Sequence, residues 1–383
     1  MESQLTTDDL ALLRRFEPVV CFNQGEQFYP TDADRYLASA SLWTQRPNDA
    51  PKLVVPRGQL DAASMAAPRE DMPDSVWYLS VADPLSAPQT RAFRRTSTLR
   101  TFHGGPGRLV RVGLLARLFD LLFSLSLRLR GTAPGGLAAG AAQCYQSAEA
   151  KDERYCYYGR VVRQQGYIAL QYWFFYTFND WRASFHGVND HEADWEMIVV
   201  YAAEDAHGVV QPCWLAYSAH DSEGDDLRRR WDDPDLEFLD DHPLVYAGAG
   251  SHANYFFPGE YMPAVPVPFT QPIAQLWLQV RRIWARLGQG NEPVPARYGS
   301  GFRIPFIDYA RGDGLRVGPQ HERVWDIRVL QPTADAPAPA WVDGYRGLWG
   351  LYSGNPLGEN APPGPQYERN GTERRRWSDP TGW

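Results

Sequence analysis

The side chains able to do chemistry are packed most densely between Asn179 and Glu196, in the run Asn-Asp-Trp-Arg-Ala-Ser-Phe-His-Gly-Val-Asn-Asp-His-Glu-Ala-Asp-Trp-Glu. The run lies between two strongly apolar segments, Tyr167 to Tyr176 and Trp195 to Tyr201. Alternate residues of a strand share a face, so Asp194 and Glu196 point to one side and Trp195 to the other. Two carboxylates on one face repel each other unless a cation or an arginine lies between them. A hard divalent cation held by Asp and Glu oxygens with one imidazole resolves the repulsion. The plainer alternative satisfies both carboxylates with arginine and backbone donors and needs no metal. His191 is an odd number of residues from Asp194, so it joins that face only from a loop ahead of the strand.

Two familiar motifs fail at this run. His191-Glu192 begins like the zinc-protease helix HExxH, but Trp195 stands where the second histidine belongs. A paired-carboxylate glycosidase needs acids flanking a sugar bond from opposite faces, which residues two apart on one strand do not provide. Two further histidines are candidate proton carriers: His220, at the end of the expected strand Gln211 to Ser218, and His252, after the glycine-rich turn Ala247 to Gly250. Either faces the same cavity or is a hydrogen-bonded structural residue. No GxSxG elbow accompanies Ser218 or Ser251, which disfavours serine-hydrolase chemistry.

The elements around these residues read as strands: Phe16 to Phe22, Tyr167 to Tyr176, Trp195 to Tyr201, Gln211 to Ser218 and Pro243 to Ala247, with turn residues between them. Strands that recur without long intervening helices imply a mainly β chain, an antiparallel β-sandwich with helical insertions. The expected organisation is one decorated sandwich domain over 1–351, with apolar helices near 109–130 and 272–287, and a Pro/Gly-rich tail over 352–383 that runs along the surface. Leu109 to Leu129 is long enough to span a bilayer but carries Arg117 and Asp120, which argues against insertion. A helix packed on its own domain fits better, with peripheral membrane contact through an apolar face as the alternative.

The 383 residues include 14 Trp, 20 Tyr and 17 Phe, and 44% are hydrophobic, which rules out a disordered chain. A net charge of -8 argues against a general grip on nucleic acid. The polar opening MESQLTTDDL offers no apolar stretch of the kind a secretory signal needs. A cytoplasmic or peripheral membrane location is therefore expected, with non-classical export left open. The cysteines at 21, 144, 156 and 213 show no CxxC spacing and read as reduced thiols.

Several blocks together resemble the Vps62-related (vacuolar protein sorting-associated protein 62-like) family. They are Phe16 to Val20, Gly25-Glu26, Tyr29-Pro30, Gln171 to Tyr176, His191 to Glu196, Gly250 to Ala253 and Tyr345 to Gly350. The central block is also similar to the signature of the NPP1-like necrosis- and ethylene-inducing proteins, which ends in His-Asp-Trp-Glu after an earlier histidine. Ala193 stands where that signature has the later histidine. The resemblance implies a β-sandwich that holds a divalent cation and engages sphingolipid head groups, with His191, Asp194 and Glu196 as metal ligands and Asp180 as a fourth. The function expected is recognition of a small polar ligand, a glycan or a lipid head group, through Ca²⁺ or Mg²⁺, with Mn²⁺ a further candidate. Trp181, His220, His252 and Tyr255 would shape the ligand pocket. The alternatives are a metal-dependent hydrolase in which His220 or His252 moves protons, and an intracellular trafficking or scaffold component.

Overall fold

The computed structural model describes residues 4–46, 49–66, 75–81, 155–179, 191–218, 228–261, 264–266, 303–305, 308–352 and 360–382, with a few single positions between 83 and 144. The expected helices near 109–130 and 272–287 lie outside the described residues, as do Asp180, Trp181 and His220. In chain order the strands are β1 Val19–Cys21, β2 Ser41–Gln45, β3 Lys52–Val55, β4 Val76–Ser80, β5 Tyr155–Gln164, β6 Tyr167–Asn179, β7 His191–Glu204, β8 Val210–Tyr217 and β9 Arg228–Arg230. They continue as β10 Phe238–Leu239, β11 His242–Ala247, β12 Asn254–Tyr255, β13 Gly259–Tyr261, β14 Ala264–Pro266, β15 Arg303–Pro305, β16 Asp308–Ala310, β17 Arg316–Val317 and β18 Trp325–Val329.

The centre is a six-stranded sheet in the order β18-β5-β6-β7-β8-β9. Its long members form an antiparallel meander, opened by a tight turn at Gln165 and Gly166, both with positive φ (52° and 81°), as a two-residue hairpin favours. Both faces of this sheet are covered, so β6 reads as an unbroken apolar run instead of an alternating one. Its even residues Leu170, Tyr172, Phe174 and Tyr176 pack with Val20, Phe22, Val245, Ala247 and Val317, drawn from a second sheet that contains β10, β11, β1 and β17. This is the front face. The odd residues Trp173 and Phe175 pack at the back with Leu42 and Leu79 of the sheet β3-β2-β4 and with Tyr36, Trp341 and Trp349.

The chain is thus mainly β, with several antiparallel sheets and few helices. Two contacts depart from a purely antiparallel plan, since β1 runs parallel to β11 and β5 to β18. Among the described residues no helix is long and apolar enough to cross a membrane. The four cysteines are free thiols, with Cys21 and Cys156 buried.

The carboxy-terminal stretch, expected along the surface, instead enters the back layer. Trp377 is 2% exposed, with the Arg160 guanidinium 3.9 Å from its ring centre. Gln171 Nε2 donates to the Arg376 carbonyl at 3.0 Å, and the Tyr201 hydroxyl donates to the Pro380 carbonyl at 2.7 Å. Proline and glycine set the path of this segment, but one tryptophan decides where it docks. Replacing Trp377 by Ala is expected to lower unfolding free energy by about 3 to 5 kcal/mol, the usual cost of deleting a large buried aromatic. Urea denaturation measures this, and a loss below about 1 kcal/mol would show that the segment is not part of the core.

Candidate functional site

Tyr176 of β6 lies opposite Asp194 of β7, and Phe174 opposite Glu196. Directly opposed residues of an antiparallel pair share a face. Asp194 and Glu196 therefore hang from the front face with Tyr176 and Phe174, while Trp195, opposite Phe175, joins the back layer.

The alternation then breaks. Phe175 and Phe178, three residues apart, both bury at the back, whereas Tyr176 and Asn179, also three apart, both reach the front. Across from this break stands Ala193 with a left-handed φ of 58°, uncommon for any residue with a Cβ. Beyond it the register pairs Phe178 with Glu192 and Asn179 with His191. His191 thus returns to the face of Asp194 from within the strand, not from a loop ahead of it. Glu192 turns to the back, where its carboxylate accepts the backbone N–H of Val81 and, at 3.0 Å, that of Leu351. A Cβ on Gly350 would press into the Glu192 backbone, 2.7 Å from its carbonyl carbon, so this close approach requires glycine.

At the front, Asp194 and Glu196 are 4% and 2% exposed. Asp194 accepts from Asn179 Nδ2 at 2.9 Å and from the Trp195 N–H at 3.0 Å. Glu196 accepts from the Ser218 hydroxyl at 2.6 Å, and that hydroxyl accepts the Met197 N–H at 2.7 Å. Burial, followed by the charge of Asp194, pushes the Glu196 carboxyl well above the usual carboxylate range, against the opposing bond from Ser218.

The turn from Gly248 to Asn254 closes the site from the second sheet. His252 has a left-handed φ of 57°, and its ring stacks on Tyr176 at 3.8 Å, within 4° of parallel. Its Nδ1 is 3.5 Å from Asp194 and its Nε2 is 3.8 Å from Glu26. Burial opposes charge on this imidazole, but the two carboxylates outweigh it and raise the group to about 9. Glu26 is itself anchored by the N–H groups of Gln27, Phe28 and Gly250 at 2.8, 3.1 and 2.8 Å.

Behind the turn, Asp308 accepts from the Ser251 hydroxyl at 2.7 Å and from the Tyr255 hydroxyl at 2.8 Å, while the Tyr255 ring stacks on Tyr261 at 3.8 Å. A Cβ at Gly248 would press on the Ser251 hydroxyl and stand 2.7 Å from both Asp308 oxygens, disturbing the bond between them. Residues far apart in sequence therefore meet: Glu26 and Asp194 on either side of the His252 ring, Tyr176 stacked on it, Glu196 close to Asp194, and Tyr255 with Asp308 behind the turn. Glu26 and Asp308 were not legible as site residues. Glu26 stood only inside the Gly25-Glu26 block, and nothing beside Asp308 marks it out.

His191 Nδ1 lies 2.7 Å from the Ala193 carbonyl, so an Nδ1–H tautomer donates there. Among the described residues, four buried polar atoms here find no protein hydrogen-bond partner: Tyr176 Oη, Asn179 Oδ1, and Oδ1 and Nδ2 of Asn254. Burying such groups unpaired is unfavourable, which favours an occupant among them. Among the described residues no group of three or more His, Cys, Asp or Glu side chains is placed to hold a metal ion, so a cation here would need a ligand beyond them.

No family model and no curated protein matches the chain. Solved structures similar to it include necrosis and ethylene inducing protein 2 from the causal agent of cocoa's witches' broom disease, at 23% identity over 27% of this chain and 45% of that one, with a TM-score of 0.22. NLPPya in complex with glucosamine is similar at 20% identity over 28% and 46%, with a TM-score of 0.20. NLPPya in complex with mannosamine is similar at 18% identity over the same shares, also at 0.20. The chain spans less than half the length of these neighbours.

A pH dependence follows from the charges around His252, which Asp194 and Glu26 face and Tyr176 covers. Its native value of about 9 lies above the ordinary histidine value of 6.5, so the native state binds the proton more tightly than the unfolded chain. The resulting stabilisation is complete below pH 6.5 and disappears as pH rises through about 9. Glu196, also raised, acts in the same direction. In EDTA, unfolding free energy is expected to fall across this window by up to about 1.4 kcal/mol per pH unit through His252, and to fall less steeply in His252→Gln. Urea titrations between pH 6 and pH 9.5, read against roughly this slope, measure it. A flat wild-type profile would contradict the arrangement.

Proposed function

We propose that the chain binds a divalent cation at Asp194 and Glu196, with His191 as the imidazole ligand, and through it a polar ligand, a glycan or a lipid head group. The observation that carries this reading is the pair of buried carboxylates beside buried polar atoms that no protein group satisfies. Asp180 would add a carboxylate on the strength of the family resemblance, and Trp181 and His220 would line the ligand pocket. His252 would form its inner wall, with Tyr255 supporting the turn behind it through Asp308. Ca²⁺ and Mg²⁺ suit the oxygen-rich donors best, with Mn²⁺ a further candidate.

When bound, the ion supplies positive charge and open coordination positions for hydroxyl or phosphate oxygens. Asp194 and Glu196 would then both stay ionised, and Asn179 and Ser218 would keep them oriented through the bonds they already make. Support for a Vps62-related reading comes from the sequence blocks, four of which contribute Glu26, Tyr176, Asp194 with Glu196, and His252 to one site.

The test is thermal melting in EDTA and with added Ca²⁺, Mg²⁺ or Mn²⁺, for wild type and Asp194→Ala. A cation at one hundred times its Kd should stabilise the wild type by about 2.7 kcal/mol. The shift should vanish in Asp194→Ala. No shift with any of these ions would refute the reading.

A further inference from the structure

We infer that Asn254 is a ligand of that cation, adding a neutral amide oxygen beside the Glu196 carboxylate. The inference rests on the cation reading above. Asn254 opens β12 opposite Ala247 of β11, while Tyr255 lies opposite Tyr246. Ala247 packs in the front layer with Tyr176 and Tyr217, so the Asn254 side chain shares that face, and the Tyr255 and Tyr246 rings take the other. The Asn254 N–H donates to the Ser218 carbonyl at 3.0 Å, and the Ser218 hydroxyl donates to Glu196 at 2.6 Å. Asn254 is thereby held next to Glu196, across the gap between the two sheets.

The side chain is fully buried, yet neither Oδ1 nor Nδ2 has a hydrogen-bond partner in the protein. A leucine, branched at the same carbon though bulkier, would occupy this place without the desolvation penalty of an unpaired amide, so the amide calls for an occupant. Charge decides which kind. Asp194, Glu196, Asp308 and Glu26 already gather around the site. Another carboxylate would add repulsion, and a lysine or arginine would displace the ion. An amide oxygen binds a cation without adding charge, and its NH₂ can donate to a neighbouring carboxylate. Carboxylates mixed with a neutral oxygen suit Ca²⁺, which accepts six to eight such ligands in loose geometry, better than Mg²⁺, which keeps its waters in a strict octahedron.

The test is calorimetric titration of the metal-free full chain with Ca²⁺ and with Mg²⁺, for wild type, Asn254→Leu and Asn254→Asp, alongside melting in EDTA. Asn254→Leu should melt in EDTA at or above the wild-type temperature and bind Ca²⁺ at least tenfold more weakly. Asn254→Asp, nearly isosteric, should melt lower in EDTA and bind Ca²⁺ more tightly, and it decides the matter if the leucine variant does not fold. A wild type that binds Ca²⁺ while both variants bind it with unchanged affinity overturns the role of Asn254 and leaves the cation site standing. A wild type that binds neither ion overturns the cation site and this inference with it.

Discussion

Two carboxylates in a layer without bulk water cannot both stay ionised unless something compensates them, and the surroundings of Asp194 and Glu196 are arranged around that constraint. Asp194 has an amide donor, a backbone donor and a nearby imidazole, whereas Ser218 supplies the bond to Glu196 and also takes part in the ladder through Met197. Burial and the neighbouring charge of Asp194 drive Glu196 toward its neutral form, against the Ser218 bond and the charge of Arg374. Glu26 and Asp308 bring further negative charge, each held by its own donors, and His252 sits between Glu26 and Asp194. The Tyr176 hydroxyl, buried near Glu196, Asp194 and Glu26, is itself pushed well above the usual phenol range.

The same short segment ties this charge to the rest of the molecule. Because Ala193 is left-handed, neighbouring residues of β7 serve two layers: His191 turns to the site while Glu192 holds β4 and the 345–351 segment through backbone N–H groups at the back. Backbone strain at a non-glycine residue persists only where the surroundings over-determine it. Here Phe178 and Glu192 on one side, and Asn179 and Asp194 on the other, fix it from both faces. His252, the second left-handed residue, is fixed in the same way by Tyr176 stacking and by the Glu26 bond to Gly250.

Much of the scaffold was legible because burial on both faces leaves a plain mark, an aromatic run such as Tyr167 to Tyr176. The strand ends were harder. β6 runs on to Asn179 and β7 starts at His191, since the polar residues there stay within the ladder despite the break at Ala193. That break was invisible because alanine carries no sequence signal for positive φ. Asp194 and Glu196 could be placed on one face from their spacing alone. Glu26 and Asp308 could not, because only tertiary packing brings them to His252. The tail misled for a related reason: its proline and glycine content describes the path, whereas the destination depends on Trp377 meeting Arg160 and Trp173.

The central claim is that a cation relieves buried negative charge that the metal-free protein must otherwise neutralise with protons. Its most direct test is calorimetric Ca²⁺ titration at neutral pH in buffers of different ionisation enthalpy, which counts the protons exchanged on binding. Net proton release is expected, as the charge that holds a proton on His252 is compensated. Binding with no proton release, or no binding at all, would contradict it.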